Sequence, residues 1–141
     1  MENINALDEL NKGATMGMEA IHFIIDKVED DNFKSVLDKE YKKYESIAKK
    51  ISEIYPEYSD KLPHKINAMN KAMTWGGIEM ETIMDKSNSK IAELLIKGTD
   101  MGIIEGRKLL NNKDIDNKIN NLISEFVTMQ EESVENLKEY L

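Results

Sequence analysis

Cysteine is absent from this 141-residue sequence, and proline occurs only at Pro56 and Pro63. The absence of cysteine excludes disulfides, thiolate metal sites and a thiol nucleophile. No apolar run approaches the roughly 18 residues that a membrane span needs. The N-terminal stretch MENINALDEL also lacks the basic region and the apolar segment of a secretion signal. We therefore expect a single cytoplasmic domain over residues 1–141, with no membrane association.

Basic side chains and histidines are scarce as well. The sequence has 19 Lys and Arg against 27 Asp and Glu, which gives a formal net charge of −8. Nucleic-acid-binding proteins carry a basic face, so we expect no nucleic-acid partner. The 2 histidines leave little general-base capacity near neutral pH, and the sequence has no glycine-rich loop of the kind that binds phosphate. We expect a protein without ordinary hydrolytic or transfer activity.

Helical periodicity, by contrast, runs through most of the chain. Apolar residues recur at helical spacing and predict five helices, over residues 4–29, 33–54, 65–85, 90–110 and 116–140. Asp31 or Asn32 can cap the second helix, and the SNS stretch at 87–89 can cap the fourth. The second helix has the most regular stripe, formed by Phe33, Leu37, Glu40, Tyr44, Ile47, Ile51 and Ile54.

The lengths of the connections predict how these helices are arranged. Short turns follow the first and the fourth helices, so each of the two pairs should fold as an antiparallel hairpin. The helix predicted over 65–85 is about 30 Å long at 1.5 Å per residue, enough to return the chain along the bundle. The expected fold is all-α, a four-helix bundle of two antiparallel hairpins joined by a long crossover that contains an extra helix. The alternative is a plain array of five helices.

Five segments carry a resemblance to a known group of proteins. They are LDELNKGATMGMEAI, FKSVLDKEYKKYESIAKKI, KAMTWGGIEMETI, IAELLIKGTDMGIIEGRKLL and INNLISEFVTMQEESVENLKEYL. In pattern and length the chain resembles the ferritin-like superfamily, most closely a branch of bacterial four-helix-bundle proteins without a settled activity. The resemblance implies the ferritin-like crossover topology, and it implies fold more than function.

The resemblance also implies a set of metal ligands that can be compared with this sequence. Metal-binding members use a lone Glu from each of two helices and Glu-x-x-His from each of the other two. Here the second helix has Glu40 followed by Lys43, and the last helix has Glu125 followed by Thr128. Both expected histidines are therefore missing. The implied di-metal set is incomplete, so we expect no ferroxidase or oxygenase centre in this chain.

A smaller cluster remains as a candidate metal site. Glu19 and His22 stand one helical turn apart in the first helix, and the hairpin register places Glu40 at their level. We consider Glu19, His22, Glu40 and Glu105 as possible ligands of Fe, Mn or Zn. The alternative for Glu40 is a polar contact with His22 or Tyr44, and for Glu105 a head group that reaches water. The main expectation is a chain without a cofactor.

Methionines and glycines suggest a role in binding other proteins. The nine methionines, four of them in the predicted crossover helix together with Trp75, can fill a core or form an adaptable binding face. Gly98, Gly102 and Gly106 form a ridge that permits close helix contact, within the bundle or across a dimer interface. We expect a non-enzymatic structural or protein-binding role, with a homodimer or another protein partner. Divergent metal binding is the alternative, and binding of a small apolar molecule between helices is a third possibility.

Overall fold

The computed structural model describes residues 2–60 and 85–141, and these residues form an all-α structure. Four helices are present in the described ranges: α1 (Glu2–Ile24), α2 (Asp31–Ile54), α3 (Asn88–Leu110) and α4 (Asn117–Lys138). None of these helices combines the length and the apolar character required to cross a bilayer. The helix predicted over 65–85, with Trp75 and the neighbouring His64, falls outside the described residues apart from its last position.

Side-chain caps determine where α2 and α3 begin. The carboxylate of Asp30 accepts a hydrogen bond of 3.0 Å from the backbone N–H of Phe33. The expected caps Asp31 and Asn32 are wrong, because Asp30 has the extended backbone that a cap requires while Asp31 is already helical. The prediction of a cap at 87–89 is confirmed, since the Ser87 hydroxyl accepts a hydrogen bond of 3.2 Å from the backbone N–H of Lys90.

α1 ends earlier than its apolar pattern predicts. The helix was expected to continue to residue 29, but it ends at Ile24 and tightens into a 3-10 turn over Ile25–Lys27. The backbone N–H of Val28 donates to the carbonyl of Ile25 at 3.2 Å, and Val28 itself is extended. The 3-10 turn thus places Asp30 where its side chain can cap α2.

Polar contacts at the two ends of the bundle establish the direction of each helix. At one end, the Asn88 amide donates to the Asp30 carboxylate at 3.1 Å, so α3 begins beside the α1–α2 turn. At the other end, the Asn112 amide donates to the Glu2 carboxylate at 3.0 Å, so α3 ends beside the start of α1. α2 and α3 therefore run in the same direction. The chain leaves α2 at one end of the bundle and begins α3 at the opposite end.

The core lies where the apolar stripes of the four helices meet. The stripe predicted for α2 is confirmed from Phe33 to Ile51, and it includes the buried carboxylate of Glu40. An aromatic residue lies at each end of the core. Phe33 stacks on Tyr140 with ring centroids 4.3 Å apart, and the Tyr55 hydroxyl donates a hydrogen bond to Asp8 at 2.8 Å. The largest of the other fully buried apolar side chains are Leu7, Ile24, Val28, Leu37, Ile47, Ile51, Ile91, Ile119, Ile123 and Leu137.

The cap at Asp30 leads to a first prediction. The hydrogen bond from the Phe33 N–H is the largest effect on the Asp30 carboxyl and lowers its pKa below the usual 3.8. A lowered pKa in the folded state adds stability above the unfolded pKa, and that stability is lost as the pH falls through the folded pKa. Asp30→Ala should therefore lower the melting temperature near neutral pH, and the difference from wild type should shrink below pH 3.8.

The matched control for this variant is Asp31→Ala, because Asp31 is an exposed acidic residue in the same turn and does not cap the helix. Thermal unfolding followed by circular dichroism over a pH series measures both variants. Equal losses for Asp30→Ala and Asp31→Ala would contradict the capping role of Asp30.

Candidate functional site

A cavity of about 690 Å³ lies between α1 and α3. The two helices line its opposite walls, and Leu94 to Leu109 along α3 corresponds to a length of about 22 Å. Apolar and small side chains dominate both walls, so the cavity surface is mainly apolar. The wall on α1 is formed chiefly by Leu10, Gly13, Met16, Gly17, Ala20 and Ile21, and the wall on α3 by Leu94, Leu95, Gly98, Met101, Gly102 and Leu109.

Glycines allow side chains of α2 and α4 to reach into this space. A Cβ on Gly17 would overlap the ring of Tyr44, and a Cβ on Gly102 would overlap the amide of Gln130. A Cβ on Gly106 would lie 2.5 Å from Val127. Two glycines of the predicted ridge on α3 therefore serve close contact within the bundle. Gly98 differs from them, because a Cβ there meets no atom of the described residues within 4 Å.

Five polar side chains form the floor of the cavity, at about the middle of the bundle. Glu40 and Tyr44 come from α2, Thr99 from α3, and Gln130 and Ser133 from α4. All five are buried, and Glu40 and Gln130 are each only 2% exposed. A buried polar atom without a hydrogen bond is costly, so the partners of these groups indicate what the floor is built to do.

Only one of the two carboxylate oxygens of Glu40 has a polar partner among the described residues. Its Oε1 accepts a long hydrogen bond of 3.4 Å from Asn136 and lies 3.6 Å from the Lys43 ammonium. Neither Asn136 nor Lys43 lines the cavity. The second oxygen, Oε2, is buried and has no hydrogen-bond partner among residues 2–60 and 85–141. Glu40 itself lines the cavity, so Oε2 is a buried acceptor beneath the cavity surface.

Gln130 and Tyr44 extend the polar floor. The Gln130 Oε1 is also buried without a hydrogen-bond partner in the described part of the chain. Burial is the largest effect on the Tyr44 hydroxyl and raises its pKa above 10.0, while contacts with Gln130 and Thr99 oppose this rise and the Glu40 charge adds to it. Tyr44 is therefore protonated at neutral pH. The floor thus combines a neutral phenol with two buried acceptor oxygens that have no hydrogen-bond partner among residues 2–60 and 85–141.

The structure separates the residues proposed as metal ligands. Glu40 lies inside the bundle, whereas His22 is exposed in the last turn of α1 and Glu19 is only half-buried. The Glu105 side chain is 66% exposed at the edge of the cavity, 3.4 Å from the Lys108 ammonium. Across the described ranges, no three His, Asp or Glu side chains come together as a group that could hold a metal ion. Binding of Fe, Mn or Zn stays a prediction.

The donor chemistry of the floor also differs from that of a di-metal centre. Glu40 is the carboxylate among the floor residues, and its neighbours there are hydroxyl and amide groups. A di-iron or di-manganese centre in a helical bundle uses four carboxylates and two imidazoles. The floor residues therefore do not fit such a centre, and we derive no chemistry through one.

Sequence reasoning found Glu40 and Tyr44 but gave no role to the remaining floor residues. Ser133 lies on the apolar stripe of the last helix, and Gln130 stands one turn before it on the same buried face. Thr99 lies between apolar and glycine positions of α3 and donates to the Leu95 carbonyl at 2.7 Å. The available signal was a small set of polar residues on apolar faces of different helices.

No protein-family profile, curated protein or solved structure matches this chain. The interpretation of the cavity therefore rests on its own geometry.

Two glycine substitutions should change stability in opposite directions. Gly17→Ala forces the buried ring of Tyr44 out of its position, and overpacking of this kind costs about 1–3 kcal/mol. Gly98→Ala adds a side chain in open space and replaces a poor helix former, so it should stabilise the protein by up to about 1 kcal/mol. Urea unfolding measures both changes. A loss of stability in Gly98→Ala, or none in Gly17→Ala, would contradict the described packing of the two walls.

Proposed function

We propose that this protein is a non-enzymatic binding protein, which holds a small and largely apolar molecule in the cavity between α1 and α3. The observation that carries the proposal is the combination of mainly apolar walls with a buried floor whose acceptor oxygens lack partners. Ligand sites in proteins are typically concave, about 300–1,000 Å³ in volume and mostly apolar, with a few polar groups that orient the ligand. The cavity volume of about 690 Å³ lies within this range.

Two free-energy contributions favour an occupied cavity. An apolar molecule removes the partly exposed side chains of Met16, Leu94 and Leu95 from water, which is favourable in proportion to the area covered. A donor group on the same molecule satisfies the buried oxygens of the floor, which are otherwise costly. A ligand that does both gains more than one that fills the walls alone.

The proposed architecture is the ferritin-like bundle with a long crossover. Its support is that α2 and α3 run in the same direction, so residues 61–84 join opposite ends of the bundle. α2 has 24 residues and is about 36 Å long, which a connection of this length can span.

Filling the cavity tests the proposed function. Gly98→Leu places a side chain into space that is open in the wild type, so binding of the neutral fluorescent dye Nile red should weaken by about tenfold or more. Lys97→Leu is the matched control, because Lys97 is the exposed neighbour on the same helix and does not line the cavity. The measurement is a fluorescence titration of each purified variant. Absence of saturable dye binding to the wild type, or equal binding by both variants, would refute the proposed function.

Self-association is a second candidate function, and one observation favours it. Met101 at the edge of the cavity and Ile104 beside it are 67% and 54% exposed on α3, and neighbouring exposed apolar side chains can mark a contact with another protein. We propose that this face contacts a second copy of the chain. This proposed contact face does not include Gly102 and Gly106, whose close contacts are made within the bundle.

A charge on this face should prevent self-association. Ile104→Lys places an ammonium where the proposed interface would bury it, so the variant should sediment as a monomer at concentrations where the wild type is a dimer. Ser124→Lys adds the same charge at an exposed position of α4 and should leave the dimer unchanged. Analytical ultracentrifugation provides the measurement, and a monomeric wild type would eliminate this second function.

A further inference from the structure

We infer that the molecule held in the cavity is an organic amine, whose protonated nitrogen donates to Oε2 of Glu40 while its apolar body lies between α1 and α3. This inference rests on the proposed function and specifies the chemical class of the ligand. It follows from three features of the cavity: the incomplete compensation of Glu40, the set of acceptors around it, and the distribution of charge along the walls.

The first feature is that Glu40 has too little positive charge around it. The carboxylate is 2% exposed, and Lys43, the cation paired with it among residues 2–60 and 85–141, lies 3.6 Å from Oε1. A charge-assisted hydrogen bond between an ammonium and a carboxylate is about 2.7–2.9 Å long, so this pair is a loose one. The Lys43 side chain is also 42% exposed, which weakens its effect on a buried group. Oε2 is left buried without a partner in the described residues.

The second feature is that the floor offers acceptors in the number that an ammonium requires. A primary ammonium has three N–H donors and no acceptor. The two unpartnered atoms of the floor, Glu40 Oε2 and Gln130 Oε1, are both acceptors. The hydroxyl groups of Tyr44 and Ser133 lie on the same floor and can accept as well. An alcohol would supply a single donor and no charge, and a carboxylate or phosphate would be repelled by Glu40.

The third feature is that the charges nearer the edge of the cavity are already paired. Lys12 lies 3.3 Å from Glu9, and Lys108 lies 3.4 Å from Glu105. All four of these residues line the cavity, and their charges balance. Among the lining residues described, the uncompensated charge is therefore the negative charge of Glu40 on the floor. A ligand complementary to this cavity carries one positive charge at its polar end and none along its body.

The test compares three eight-carbon molecules that differ only in the head group. n-Octylamine, n-octanol and n-octanoate are used to displace Nile red from the full-length wild-type protein. A buried charge-assisted hydrogen bond corresponds to roughly tenfold to hundredfold in affinity. We therefore expect octylamine to displace the dye at about tenfold lower concentration than octanol or less, and octanoate to be the weakest of the three.

Two matched variants assign the preference to Glu40. Glu40→Gln preserves the shape of the side chain and removes its charge, so the preference for octylamine over octanol should disappear. Glu105→Gln removes the same charge from an exposed position at the edge of the same cavity and should keep the preference. Because the whole protein is acidic, with a net charge of −8, this pair also separates a specific site from general attraction of amines to an anionic surface.

A further variant changes a half-exposed residue and leaves the buried carboxylate of Glu40 in place. Lys43→Gln removes the loose internal partner of Glu40 and should increase the preference for octylamine by about two- to fivefold. Lys43 is half-exposed and lies outside the cavity, so this variant decides the question even if Glu40→Gln does not fold.

The outcomes distinguish the inference from the function on which it rests. Dye binding with equal displacement by octylamine and octanol would overturn the amine assignment and leave the proposed function standing. Absence of dye binding to the wild type would remove both. A preference for octylamine that survives in Glu40→Gln, or an unchanged preference in Lys43→Gln, would show that Glu40 is not the group that recognises the amine.

Discussion

The burial of Glu40 within the apolar stripe of α2 determines how the centre of this bundle is built. The stripe places the carboxylate between α1, α3 and α4, where it is 2% exposed and cannot reach bulk water. A charge in such a place requires partners, and the described residues supply them on one side only, through Asn136 and a loose contact with Lys43. Of the other buried polar residues described, Thr99, Gln130 and Ser133 line the cavity, whereas Asp8 and Asn11 lie elsewhere in the bundle.

The shape of the cavity depends on glycines in α1 and α3, which have no side chain. Glycine in a helix costs up to about 1 kcal/mol relative to alanine, yet Gly17 and Gly102 stand in the middle of their helices. Their lack of a Cβ lets Tyr44 and Gln130 lean across from α2 and α4. Stability is thus lower than a fully packed bundle would allow, and proteins typically depart from ideal packing in this way at functional sites.

The secondary structure could be predicted closely from periodicity, because each stripe records which face of its own helix is buried. The C-terminal ends of α2 and α3 were predicted to the residue. The end of α1 was not, because a 3-10 turn follows this helix and continues its apolar pattern. The difference in burial between Glu40 and His22 has a rotational reason. Ile21 is buried, and the next residue, His22, points about 100° away around the helix and is exposed. The register of a hairpin predicts the position of a residue along the bundle axis, but it does not predict the direction in which the side chain points.

The cavity could not be predicted at all, because its width depends on the distance between two helices that are far apart in sequence. One consequence follows from the polar contacts that join the hairpins at both ends. Asn88 is bound to Asp30 at one end, and Asn112 is bound to Glu2 at the other. These contacts hold the start and the end of α3 next to the two ends of α1, so the two helices that form the walls of the cavity stay side by side over their whole length. A molecule held there, as we propose, has an upper limit on its extended length that is set by the length of α3, and its polar group is selected by the floor residues at the middle of the bundle.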